Sequence, residues 1–328
     1  LKTISCSEAF DVNIIYCPEK TQDGYIFAIT LMPRQDFGFE KIKQNFFFLV
    51  DKSNSLQKAR LCATRQAIAA ALPLLAQTDS FNIISFHNHF EVLSEKNNFY
   101  ATPNSIAKAK NFLYSQEIGS FFASTNLDSP LRRVLNFTNR KNEINTVILL
   151  TNGEDLHKTK NYKILESWSS MHENHYSLYI LSLLDDANLP IMDLFAAMNR
   201  GQLLFSPTER GLKRKLHKLL KNLQHPIAKN IVISTIINDK KNQITLYPVR
   251  QHLPHLYLDM PYVIIGKTNQ LQDFTLFIQG EGYKQNLNIK KNISFRNAQE
   301  NNNHLVEEWT LQQAYAHYQN YLQSRNGA

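Results

Sequence analysis

The chain changes its hydrophobic rhythm twice. Near the start, residues 9–17 and 24–33 are two strand-like runs, Phe-Asp-Val-Asn-Ile-Ile-Tyr-Cys and Gly-Tyr-Ile-Phe-Ala-Ile-Thr-Leu-Met, joined by a polar turn around Gln22-Asp23-Gly24. From about residue 45, strands and helices alternate. Phe46-Phe47-Phe48-Leu49-Val50 is continuously apolar, as a strand covered on both faces must be. Residues 56–76, rich in Ala, Leu, Lys, Gln and Arg, predict a helix. A strand at 81–86, a helix opened by Pro103 and a helix over about 128–139 follow. Then come strands at 146–150 and 176–181, and helices near 189–198 and 208–224. This β-α alternation predicts a doubly wound, mostly parallel sheet with helices on both faces.

After Pro226 the rhythm returns to strands: Asn230–Ile237, Ile244–Tyr247, Tyr262–Lys267, Phe274–Gln279 and Leu287–Ser294. A last helix is expected over 304–323, capped by Asn301-Asn302-Asn303 and docking through Leu311, Tyr315, Tyr318 and Leu322. The expected organisation is an N-terminal β flank (1–43), an α/β domain (44–225), a C-terminal β flank (226–303) and a terminal helix (304–328). The two flanks are expected to pair into one sandwich-like β unit. No apolar run is long enough to span a membrane. The first residues, Leu1-Lys2-Thr3-Ile4-Ser5, carry neither an initiator Met nor a signal-peptide pattern, so a fragment of a longer protein is expected.

In an open α/β sheet, ligands gather where loops leave the carboxyl ends of the strands. The first such loop reads Asp51-Lys52-Ser53-Asn54-Ser55. A carboxylate and two hydroxyls at alternate positions, leading into a helix, can converge on one point. They are hard oxygen donors, suited to Mg²⁺, Mn²⁺ or Ca²⁺ and not to zinc. The competing reading of the triplet alone is a Ser-rich cap for the helix that follows. Two further loops are expected at the same edge: Thr125 before the helix at 128, and Thr151-Asn152-Gly153 directly after the strand at 146–150. The candidate oxygen set is therefore Asp51, Ser53, Ser55, Thr125 and Asn152.

These stretches resemble the von Willebrand factor A domain, whose metal-ion-dependent adhesion site (MIDAS) is Asp-x-Ser-x-Ser, then a Thr, then Thr-Asp-Gly. More closely, the chain is similar to the inter-alpha-trypsin inhibitor heavy chains and their bacterial relatives. The matching stretches are Asp23-Gly24-Tyr25-Ile26-Phe27 with Met32-Pro33, the metal loop, Asp79 to Phe86, Ala101-Thr102-Pro103-Asn104, Thr125-Asn126-Leu127 and Val147 to Gly153. Beyond residue 225, Tyr247-Pro248, Leu253 to Tyr257, Ile264 to Lys267 and Glu308-Trp309 also fit, so the likeness covers roughly residues 10–322. The resemblance implies a Rossmann-like fold, a further domain ahead of this region, and a secreted, periplasmic or cell-surface setting. It implies that Ser53, Ser55 and Thr125 bind the cation directly, while Asp51 and Asn152 act through water. A partner's acidic side chain would complete the shell. The chain departs from the pattern at Asn152 (usually Asp), Asn54 (usually Gly) and Ser124 (usually Gly), which opens a second reading: a scaffold whose metal site has decayed.

The formal charge of +8 favours acidic partners, acidic polysaccharide among them, although many Lys and Arg side chains simply solvate a surface. Residues 210–225 form a basic amphipathic helix with Leu212, Leu216, Leu219 and Leu223 as its apolar stripe and Lys213, Arg214, Lys218 and Lys221 off it. It reads either as the last helix of the α/β domain or as a surface for polyanion, nucleic acid or membrane; nucleic acid is not favoured. His87-Asn88-His89 reads as an exposed turn, since no third metal ligand accompanies it. Asn136-Phe137-Thr138 and Asn292-Ile293-Ser294 fit glycosylation sequons. Cys6 and Cys17 are placed to meet across neighbouring strands, and Cys62, within a helix, is expected to be a buried thiol. There is no phosphate-cradling glycine loop, no His-Glu-x-x-His and no nucleophile elbow, so binding rather than catalysis is expected.

Overall fold

The computed structural model describes residues 2–4, 7–19, 24–53, 57–119, 125–137, 142–151, 153, 164, 167–169, 175–183, 189–237, 242–249, 253–301 and 304–326. The chain divides into two units: residues 43–224 form one, and residues 1–42 together with 225–328 form the other.

In the first flank lie β1 (Lys2–Ile4), β2 (Phe10–Pro18) and β3 (Tyr25–Pro33). The inserted unit begins with β4 (Lys43–Asp51), α1 (Gln57–Ala71), β5 (Ser80–Phe86), β6 (Phe90–Val92) and β7 (Phe99–Tyr100). It continues with α2 (Pro103–Ser115), α3 (Asp128–Leu135), β8 (Glu143–Leu150) and β9 (Tyr176–Ser182). It ends with α4 (Leu189–Met198), β10 (Leu203–Phe205) and α5 (Glu209–Asn222).

The sheet of this unit runs β10-β9-β8-β4-β5-β6, with β7 also on β5. All pairings from β10 through β5 are parallel, while β6 and β7 are antiparallel to β5. From Gln44 to Asp51 every residue of β4 is buried, which explains its unbroken apolar run. Phe47 and Leu49 pack with Leu131 and Val134 of α3 and with Met192 and Phe195 of α4. Phe46, Phe48 and Val50 alternate to the opposite face of the strand, and α1 packs against both α2 and α5. Thr102 and Thr208 cap α2 and α5, each accepting a backbone N–H three residues on, from Ser105 and Gly211. Gln44 Nε2 donates to the carbonyl of Leu223 at 2.7 Å, closing the unit's first strand onto the end of its last helix.

The second flank supplies β11 (Pro226–Ile236), β12 (Ile244–Tyr247), β13 (Leu256–Tyr257), β14 (Tyr262–Thr268), β15 (Phe274–Glu281), β16 (Gln285–Ile293), β17 (Gln299–Glu300) and α6 (Leu305–Asn326). Two five-stranded sheets result, β1-β16-β15-β11-β13 and β12-β14-β3-β2-β17. Both mix strands from the two flanks. β3 pairs with β14 from Tyr25↔Thr268 to Leu31↔Tyr262. Phe27, Ile29 and Leu31 of one sheet meet Leu276, Ile278 and Ile289 of the other in a single core, as a two-layer β unit requires. The flanks also meet where the insertion leaves them, Ile42 N–H donating to the carbonyl of Pro226 at 2.9 Å.

Several sequence expectations are corrected here. The terminal helix docks through Leu305 and Trp309, which pack with Cys17, Ile26, Ala28 and Ile265, and the Trp309 ring lies 4.9 Å from that of Tyr247. Leu311 is exposed, Tyr315 and Tyr318 are half-buried, and the Leu322 side chain lies outside the described residues. The docking face is thus set by the helix's first two turns and not by the later Leu and Tyr positions. Cys17 is a buried free thiol, whereas Cys62 is exposed; Cys6 lies outside the described residues. Cys62 sits on the side of an Ala-rich helix that carries Lys58, Ala59 and Gln66 to solvent, so a small side chain there needs no burial. The helix at 128 stops at Leu135, with Asn136 as its exposed C-terminal cap.

Candidate functional site

Asp51 ends the most deeply buried strand, and its side chain is buried with it. Its Oδ1 accepts the Ser53 backbone N–H at 2.8 Å, and its Oδ2 accepts the Thr151 hydroxyl at 2.6 Å. Thr151 is fixed in turn by the Gly153 N–H, which donates to its Oγ1 at 3.1 Å. The parallel register of β4 and β8 makes this meeting unavoidable: Val50 faces Leu150, so the residues after each strand emerge side by side. Gly153 has φ +74, and a Cβ there would fall 2.7 Å from the Met192 sulfur. Only glycine therefore lets the second loop turn back toward Asp51.

Burial pushes the Asp51 carboxyl above its ordinary range. The Thr151 hydroxyl, the Ser53 N–H and hydroxyl, and the nearby His87 pull it back down, each more weakly than burial raises it. A buried carboxylate held by neutral donors carries a charge that its surroundings do not cancel.

Lys52 points away from this carboxylate into a separate polar network. Its ammonium is buried and ion-paired with Glu91, holding that carboxyl below the usual range, and lies 3.2 Å from Gln116 Oε1. Ser85 Oγ donates to the same Gln116 oxygen at 2.5 Å, and the Arg65 guanidinium donates to the Gln116 carbonyl. The Lys52 backbone is pinned as well: its N–H donates to Phe86 O at 2.9 Å and its carbonyl accepts from Gly119 N–H at 2.7 Å. The residue between Asp51 and Ser53 is thus clamped on both sides, which fixes the loop that carries them.

The third loop is tied to the same edge. Asn126 N–H donates to His87 O at 2.7 Å, bringing half-buried Thr125 to the end of β5. Of the five residues singled out by sequence, Asp51, Ser53 and Thr125 are described, and the first two are in direct contact through the Asp51–Ser53 bonds. Ser55 and Asn152 lie outside the described residues.

Two residues at the site were missed. Thr151 was read only as the start of a motif, yet its hydroxyl holds Asp51 directly; a hydroxyl abutting a buried strand end was the available signal. His87 was expected in an exposed turn, but it is buried, while Asn88 and His89 are exposed. Its ring lies against Gly119, where a Cβ would come within 2.2 Å of Nδ1. The correction has a simple cause: the β5–β6 hairpin folds His87 beneath the segment leading from α2, a long-range packing invisible in the triplet. Among the described residues, no three of His, Cys, Asp and Glu gather into a metal-binding group, so His87 is not part of a zinc-type cluster there.

Known proteins share these features. Residues 44–205 match the family model described as the von Willebrand factor type A domain. Among similar proteins, mouse inter alpha-trypsin inhibitor heavy chain 4 is 24% identical over 269 residues, covering 77% of this chain and 27% of that protein. Mouse inter-alpha-trypsin inhibitor heavy chain H3 is 22% identical over 303 residues, covering 86% of this chain and 32% of that protein. The chain therefore spans less than a third of the length of either relative. Among solved structures, a von Willebrand factor type A protein from Catenulispora acidiphila superposes with a TM-score of 0.64 at 13% identity, over 93% of this chain and 77% of that one. The ArnB paralog VWA2 from Sulfolobus acidocaldarius gives a TM-score of 0.54 at 15% identity, over 87% and 74% of the two chains.

Proposed function

From the match of residues 44–205 to the von Willebrand factor type A domain, we propose that the chain is a non-catalytic adhesion module that binds a protein or matrix partner through a divalent cation. Domains of this type commonly mediate protein binding and adhesion. The cation, Mg²⁺ or alternatively Mn²⁺ or Ca²⁺, would be held by Ser53, Ser55 and Thr125, with Asp51 and Asn152 acting through water. An acidic side chain of the partner would fill the remaining position.

One observation carries this reading. Asp51 is a carboxylate 1% exposed to solvent, and both of its oxygens are held by neutral donors. A buried negative charge is costly unless a positive charge accompanies it. Lys52, the adjacent ammonium, is instead committed to Glu91 and Gln116. A hard cation bound among hydroxyls at the mouth of the loops supplies what Asp51 lacks, and the donor set fits such an ion in kind.

A second reading, a scaffold with a decayed site, rests on Asn152 in place of the usual Asp, because it removes one of the charges that would offset the cation. Calorimetric titration with Mg²⁺ and Mn²⁺ separates the two. The parent is expected to bind and the Ser53→Ala, Ser55→Ala double variant to lose binding while melting at the same temperature. Equal binding by both proteins would place any ion elsewhere and give the scaffold reading the lead.

A further inference from the structure

The formal charge of +8 is not spread over the molecule. Residues 43–224 hold 22 Lys and Arg against 15 Asp and Glu, a net of +7. Within that unit, α1 and α5 carry nine Lys and Arg between them and a single acid, Glu209. The remainder of the unit is close to neutral, with 13 basic and 14 acidic residues. Arg65 and Lys215 are turned to the carbonyls of Gln116 and Phe205, and the exposed remainder sits on two helices that pack against each other.

The arrangement on α5 is a stripe. Leu212, Leu216, Leu219 and Leu220 are buried toward the sheet, and Arg210, Lys213, Arg214, Lys218 and Lys221 are exposed. The stripe is about 16 Å long at 1.5 Å of rise per residue. None of these five side chains, nor Lys58 on α1, forms an ion pair among the described residues. Clustering like charges without partners raises the energy of the free protein, and an anion that lies along the row relieves it.

We propose that the α1–α5 face binds a sulfated polysaccharide lying along α5. Among the described residues, neither helix exposes a large aliphatic side chain or a Phe, Tyr or Trp. The face therefore has nothing to insert into a lipid surface, and it lacks the Phe, Tyr and Trp platforms on which unstacked bases rest most strongly. α5 lies beside α1 as part of a layer, so it does not project as a free rod into the major groove of a duplex. What remains is recognition of closely spaced anionic groups on a flexible chain, for which Lys supplies point charges and Arg supplies paired N–H donors to sulfate. This binding is independent of the cation at Asp51.

The test uses the full chain and a heparin-derived oligosaccharide, titrated with EDTA present and at several salt concentrations. Binding should survive EDTA and weaken by roughly 10²–10³-fold between about 50 and 200 mM salt, as expected for about six neutralised charges on a flexible polyanion. Replacing three of them, in Lys213→Glu with Lys218→Glu and Lys221→Glu, should abolish binding at moderate salt. The milder Lys213→Gln, Lys218→Gln, Lys221→Gln variant should cut the salt slope by about half. All three positions are exposed, so both variants should keep the parent's melting temperature, and the milder set serves if the charge-reversed one does not fold. The proposal is overturned if EDTA abolishes binding, if the folded variants bind like the parent, or if a single-stranded oligodeoxynucleotide of equal charge binds as tightly. The metal titration of the preceding section is unaffected by any of these results, so the two readings fail separately.

Discussion

Strands β4 and β16 are equally long, yet they bury their residues in opposite ways. Eight of the nine residues of β4 are buried, whereas β16 alternates, with Leu287, Ile289 and Ile293 inside and Asn286, Asn288 and Lys290 outside. Helices cover β4 on both faces, and a facing sheet covers β16 on one. The difference decides what a polar residue means in each place. On β16 an outward Asn faces water and requires no explanation. On β4 every polar side chain must have an internal reason: Gln44 reaches the Leu223 carbonyl, and Asn45 bonds Glu143 and Asn145. At the far end the described hydrogen-bond partners of Asp51 are neutral donors, and burial outweighs both them and the nearby His87. A doubly covered strand thus acts as a filter, and the polar residue whose charge it leaves uncancelled is the one to examine for function.

The sharpest way to break this contrast is by truncation. Phe48→Ala should cost about 3–5 kcal/mol of stability, whereas Asn288→Ala should stay within about 0.5 kcal/mol. Urea titration of both variants measures the difference, and similar midpoints would show that double coverage is not what distinguishes the strands. A smaller effect is expected at the site itself. Thr151→Val removes the hydroxyl bonded to buried Asp51 and should destabilise the cation-free protein by about 1.5–3 kcal/mol. If that variant melts with the parent, the Asp51–Thr151 bond contributes nothing and the site is looser than its geometry implies.

Two further effects are smaller and concern the cation. Asn152→Asp adds a charge near the proposed ion and should tighten Mn²⁺ binding by about 1–2 kcal/mol at partly screened range. Unchanged affinity would mean that residue 152 faces away from the ion. The last test is pH dependence. Because burial raises the Asp51 carboxyl in the folded state, the native protein holds this proton more tightly than the unfolded chain. In the absence of metal, this group's contribution to stability therefore falls as pH rises from the usual carboxylate range through the raised value. A cation compensates the ionised form only. The increase in melting temperature on adding Mn²⁺ should accordingly be absent at acid pH and appear across that same window. An increase that is constant with pH would place the ion away from Asp51.

How much of this was legible in sequence depended on range. The parallel sheet could be read because each buried strand is an unbroken apolar run, and the flanking β unit could be read from alternation at Phe10 to Cys17 and Leu287 to Ile293. The loops at Asp51, Thr125 and Thr151 were legible because parallel strands deliver their carboxyl ends to one edge. What escaped was set by neighbours distant in the chain. His87 is polar and lies in a polar triplet, and Gly119, more than thirty residues on, packs against its ring. Trp309 and Leu305 were passed over because Leu311 and the tyrosines make an equally regular stripe, and only the sheet's surface decides which phase of the helix is buried. Cys62 illustrates the converse, an apolar residue left exposed because its Ala-rich helix has little contrast between its sides.

The Ile42–Pro226 pairing has a mechanical consequence. The unit containing Asp51 joins the rest of the chain by two covalent links, one at each end of the insertion, and the flanks close on each other at that junction. A partner pulling at Asp51 therefore loads two peptide links in parallel, and each bears only part of the tension. The β3–β14 ladder, by contrast, joins the two flanks directly and lies wholly outside the inserted segment.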